Sequence, residues 1–130
     1  MKKKKKKILL IIVSVIVILI ALVLFVVLSG LTEGLRVPLN GLKLSNVPDG
    51  SYTGDYQHRR WSNTVVVHIK DQTITAIDVE KDMFGAGITN AADDIIRRVI
   101  EAQDTKVDML SGATVTSKAY LKAIENALEK

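Results

Sequence analysis

The chain has 130 residues, with 18 Lys and Arg, 14 Asp and Glu and no cysteine, which excludes disulfides, thiolate metal sites and thiol nucleophiles. Six of the basic residues are Lys2 to Lys7. Without them, 12 Lys and Arg face 14 Asp and Glu, a net charge of −2, so the basic pI belongs to the N-terminus and the remainder offers no electrostatic footprint for nucleic acid.

Residues 8–28, "ILLIIVSVIVILIALVLFVVL", hold no charge and one polar side chain, Ser14. About 20 such residues in a helix cross the hydrocarbon of a bilayer, and a secretory signal has a shorter apolar core ending in a small-residue cleavage site. An uncleaved N-terminal transmembrane anchor is therefore expected over residues 1–29. Its lysines hold that end on the cytoplasmic side and leave the remainder extracytoplasmic. Residues 30–48 mix Gly, Pro and Asn with isolated apolar residues and read as a linker, partly docked through Leu42 and Leu44.

From residue 49 to 130 the pattern is that of one small domain. "SYTGDYQ" reads as a short strand, and "NTVVVHIK" alternates Val65, Val67 and Ile69 against Val66, His68 and Lys70. Asp71-Gln72 marks a tight hairpin turn before "TITAIDVE", where Ile74 is out of phase with Ile77 and Val79 and calls for a bulge. "KDMFGAGITN" reads as a loop ending in Asn90, a candidate N-cap for "AADDIIRRVIEAQD". Leu121, Ile124 and Leu128 keep helical spacing in a last helix. The expected fold is α+β: a small antiparallel sheet packed against two helices, preceded by one transmembrane helix.

Ser111, Gly112, Thr114, Thr116 and Ser117 crowd the start of that last helix. The first turn of a helix has unpaired N–H groups and a positive dipole end, which suit a phosphate. Helix capping by the same hydroxyls is the competing explanation. The stretch "DMLSGATVT", Asp108 to Thr116, resembles the Asp-x-x-Ser-Gly-Ala-Thr-x-Thr signature of the FMN-binding domain family, which includes the flavinylated subunits of Na⁺-pumping NADH:quinone reductase and the Rnf complex. The likeness extends over about 80 residues, from "PDGSYTG" to the C-terminus. "DYQHRRWSN" stands where many members carry a Gly-rich run.

The resemblance implies that Thr116 receives FMN through a phosphoester, installed by a separate flavin transferase that takes FMN from FAD. It further implies that Ser111, Gly112, Ala113, Thr114 and Ser117 shape the phosphate loop and that the transferase reads Asp108. Leu110, Met83, Phe84 and Trp61 are candidates for an apolar slot around the flavin ring. The expected function is that of a membrane-anchored electron carrier working with a membrane or extracytoplasmic redox partner. A membrane-anchored binding or sensory module, holding FMN non-covalently or lacking it, stands as the alternative. His58 and His68 lack metal-ligand spacing, "HRRW" reads as an exposed strand-end loop, and no Ser-His-Asp set is apparent.

Overall fold

The computed structural model describes residues 1–82 and 91–129. Lys2–Leu28 form helix α1, 27 residues with none buried. Among the described residues it provides the helix long and apolar enough to cross a membrane. Its hydroxyls are satisfied by its own backbone: Ser14 donates to the Ile11 carbonyl at 2.8 Å, and Ser29, at its C-cap, to that of Val26 at 2.8 Å. Hydrocarbon would leave them no other partner. Met1–Leu31 form a compact unit by themselves, and a second unit begins at Thr32.

A five-residue helix α2, Leu31–Leu35, ends ahead of the segment that leads to the sheet. Strands β1 (Gly50–Tyr56), β2 (Asn63–Lys70) and β3 (Thr73–Asp82) form an antiparallel sheet in that spatial order. Asp71 and Gln72 both have positive φ, 52° and 60°, as a two-residue hairpin turn of matching twist requires. The expected bulge is present. Ile69 pairs with Ile74 but His68 with Ala76, so the extra residue, Thr75, brings both Ile74 and Ile77 into the core. β3 continues through Asp82, two residues into the stretch expected to be loop, whereas Asn90 and its capping role lie outside the described residues.

Helices α3 (Ala91–Ala102) and α4 (Thr114–Leu128) cover one face of the sheet. Val65, Val67, Ile74, Ile95, Val99, Leu121 and Ile124 form the center of the core, each nearly or wholly removed from water. α4 lies directly on β1 because Gly54 has no side chain. A Cβ there would collide with the backbone of Ala123 and Ala127. "HRRW" is not an exposed loop: Arg59–Trp61 make a single 3₁₀ turn, and Trp61 is buried. Burying its indole outweighs exposure of so large an apolar surface.

The segment expected as a linker docks from Leu39 onward, with Leu39, Leu42, Leu44 and Val47 packed on the core. Two carboxylates bind its backbone. Gly41 N–H donates to Glu125 Oε1 at 3.0 Å and Leu42 N–H to Asp104 Oδ1 at 2.9 Å. Glu125 is fully buried, also accepts the Thr105 hydroxyl at 2.7 Å, and pairs with Lys122 at 3.3 Å. Burial pushes the Asp104 carboxyl up, but N–H donors from Leu42, Lys106 and Thr105 and the Lys106 charge outweigh it and hold it below the usual carboxylate range.

Candidate functional site: the amino end of α4

α4 starts without a side-chain cap. Its N-cap is Ala113, which makes no capping hydrogen bond, so none of the neighbouring hydroxyls acts as the cap that the sequence suggested. Among the described residues, the backbone N–H groups of Thr114, Val115 and Thr116 have no hydrogen-bond partner. These are the orphan donors of a helix start, gathered at its positive end.

The loop before the helix is a tight turn. Ala113 N–H donates to the Leu110 carbonyl at 3.0 Å, and Gly112 occupies the third turn position with φ of 75°. That geometry favours glycine. A Cβ on Gly112 would meet nothing within 4 Å, so the space above the turn is open. Ser111 and Gly112 are exposed, and Ala113, Thr114 and Thr116 are half-buried.

The hydroxyls divide into two groups. Ser117 is fully buried and is used inside the loop. Its Oγ donates to the Ala113 carbonyl at 2.7 Å and accepts Leu110 N–H at 3.4 Å. It braces the turn instead of facing a ligand. Ser111, Thr114 and Thr116 make no side-chain hydrogen bond among the described residues, which leaves their oxygens available. Asp108 is exposed, and Arg98 of α3 donates from Nη1 to its carbonyl at 2.7 Å. Arg98 thus brings a guanidinium to this loop, a neighbour that no spacing in the sequence revealed because it comes from another helix.

On the same helix, Tyr120 follows Thr116 by one turn and donates its hydroxyl to the Asp82 carboxylate at the end of β3. Burial, then that hydrogen bond and the charges of Asp82 and Asp93, push the phenol well above the ordinary tyrosine range. Beside this junction the ends of β2 and β3 enclose an open cleft of about 440 Å³, lined by Gln57, Ser62, Asn63, Thr64, Glu80, Lys81 and Asp82.

Of the residues expected to form an apolar slot, Leu110 and Trp61 fall among the described residues. Leu110 is half-buried in the turn, and Met83 and Phe84 lie outside those residues. Trp61 is already stacked on His58, with ring centers 6.0 Å apart, and carries the Arg60 guanidinium 4.4 Å from its ring. A Ser-His-Asp line does exist, contrary to expectation. Ser51 Oγ and His68 Nδ1 are 2.7 Å apart, and His68 Nε2 and Asp78 Oδ2 are 2.7 Å apart. The three lie on adjacent strands on the face away from the helices, where they link the sheet laterally. The signal that was missed is the register that sets Ser51 opposite His68.

The residues at the amino end of α4 fit a phosphate monoester. Three unpaired amides, an open glycine turn, a nearby guanidinium and unengaged hydroxyls converge there. Residues 62–129 match the family model of the FMN-binding domain. The chain is also 32% identical over 92 residues to the NADH:acrylate oxidoreductase of Vibrio harveyi, a match covering 67% of this chain and 9% of that protein. The chain thus spans a small fraction of that relative's length. With the phosphate-compatible loop lying inside the matched residues, the chain belongs to the FMN-binding domain family.

Proposed function

We propose that this protein is a membrane-anchored electron carrier whose FMN is joined to Thr116 Oγ1 by a phosphoester. The observation that carries the reading is the amino end of α4, where the Thr116 hydroxyl is unengaged beside three unpaired amides in an uncapped first turn. In the attachment step, Thr116 Oγ1 displaces AMP from the FMN phosphorus of FAD. One P–O bond forms, the diphosphate P–O bond breaks, and the threonine proton is released. A separate flavin transferase performs this step, with Asp108 as part of what it reads. Ser111 and Thr114 hydroxyls and the α4 amides hold the phosphate, while Ser117 keeps the turn in shape. When bound, the flavin supplies one- and two-electron redox chemistry.

Lys2 to Lys7 remain cytoplasmic and α1 crosses the membrane, which sets the FMN-binding domain on the extracytoplasmic side. A covalent link suits that compartment, where a dissociated cofactor would be lost by dilution. The name of the Vibrio relative describes electron transfer from NADH to acrylate, and this supports a redox role for the shared segment. The partners would be a membrane donor and an extracytoplasmic acceptor.

The test is coexpression of the full chain with a flavin transferase, read as a fluorescent band on a denaturing gel. The wild-type band should fluoresce, Thr116→Ala should be dark, and intact mass should rise by one FMN less one water. A dark wild-type band beside an active transferase, or a fluorescent Thr116→Ala band, overturns the assignment.

A further inference from the structure

Asn63, the first residue of β2, is 4% exposed and lines the cleft between the ends of β2 and β3. Its Nδ2 donates to the Trp61 carbonyl at 3.3 Å. That bond fixes the orientation of the amide, because the flipped form would set two carbonyl oxygens against each other. The remaining atom, Oδ1, is buried and has no hydrogen-bond partner among the described residues. A shielded acceptor without a donor is costly, so its retention calls for a ligand that supplies one.

The cleft volume of about 440 Å³ is far larger than one water requires and lies within the range of small-molecule sites. Its lining is mostly polar. Gln57, Thr64 and Lys81 carry donors, which suits a ligand edge that alternates acceptor, donor and acceptor. Asp82 in the same wall is held by Tyr120, one helical turn beyond Thr116. The cleft is thereby linked through Asp82 and Tyr120 to the helix that carries the proposed attachment point.

We infer that this cleft binds the imide edge of the flavin ring, with the ring N3–H donating to Asn63 Oδ1 and the flanking carbonyls facing donors of the cleft wall. The inference rests on the flavin reading above and adds to it where the ring is held. Asn63 is a binding residue in this assignment, added to the residues that the sequence suggested.

The experiment uses the full chain flavinylated with FAD labelled with ¹⁵N at N3, and follows the N3–H proton by NMR. In the wild type, exchange of this proton with water should be slowed at least about tenfold relative to free FMN, as for a buried hydrogen-bonded N–H. Asn63→Ala should return it to the free rate while the denaturing-gel band stays fluorescent. Asn63→Asp keeps an oxygen acceptor and should keep the protection. Exchange at the free rate in the wild type, with the gel showing attached flavin, overturns the inference and leaves the attachment standing. A dark gel overturns the attachment and this inference together. If Asn63→Ala fails to fold, Asn63→Leu, which keeps the side-chain volume and removes the acceptor, takes its place with the same two outcomes. Protection retained by a folded Asn63→Ala assigns the acceptor elsewhere and overturns the role of Asn63.

Discussion

Tyr120 donates a hydrogen bond from its phenol to the Asp82 carboxylate and so ties the second turn of α4 to the last residue of β3. Tyr120→Phe should cost about 1–3 kcal/mol at neutral pH, since it removes one donor from a partly buried carboxylate. The pH dependence has a definite sign. Burial and Asp82 raise the folded-state value above that of unfolded tyrosine, near 10, so the contribution is full below about pH 10 and is lost as pH rises toward the folded value. Thermal unfolding of the wild type should therefore fall more steeply above about pH 10 than that of Tyr120→Phe. Parallel curves would show that the bond carries no stability.

Asp104 behaves in the opposite direction. Its folded-state value lies below that of an unfolded aspartate, near 3.9, so its contribution is present above that pH and disappears as pH falls through the folded value. Asp104→Asn should lower stability at pH 7 by about 1 kcal/mol, the scale for a partly exposed charged acceptor, and should flatten the acid limb. Urea midpoints between pH 7 and acid conditions measure both. Because Asp104 holds Leu42 N–H, the variant should also speed tryptic cleavage after Lys43.

Gly54→Ala adds one methyl group where α4 lies against β1. The obstructing atoms are backbone atoms of Ala123 and Ala127, which have no side-chain torsion through which to yield. The expected loss is about 3 kcal/mol or more, at the upper end for overpacking. Chemical denaturation measures it, and a loss below 1 kcal/mol would mean that the helix shifts freely over the strand.

Ser117→Ala removes the hydroxyl that joins the Leu110 N–H to the Ala113 carbonyl. A stability loss of about 1–2 kcal/mol is expected for a buried hydroxyl with two partners. Flavin attachment should slow without being abolished, since Ser117 shapes the turn and Thr116 is the proposed acceptor. In-gel fluorescence against time separates this from Thr116→Ala, which should give no signal at any time. Complete loss of attachment in a folded Ser117→Ala variant would move Ser117 from bracing to direct participation.

Much of the fold is legible along the chain because local periodicity reflects which side is buried. The alternation in β2 leaves Thr64, Val66 and His68 half-buried on one side and buries Val65, Val67 and Ile69 on the other. The phase break at Ile74 requires the bulge that the register shows. The docked segment from Leu39 to Val47 was less legible, since its anchors, Asp104 and Glu125, lie 62 and 84 positions from the amides they bind. Of the candidate site, the Asp108 to Thr116 stretch is readable as a motif. The inward role of Ser117 is not, because hydroxyls one position apart on a helix face different surroundings.

The sequence by itself determined the apolar helix, the β2–β3 hairpin, the α+β class and the Asp108 to Thr116 motif, for each is written in contiguous residues. Only the tertiary structure decided what surrounds that motif. It brought Arg98 to the Asp108 carbonyl, joined Tyr120 to Asp82, left the first amides of α4 unpaired and stranded Asn63 Oδ1 in the wall of a cleft. The physical reason is that these contacts cross between elements, where packing sets the partners and no sequence interval records them.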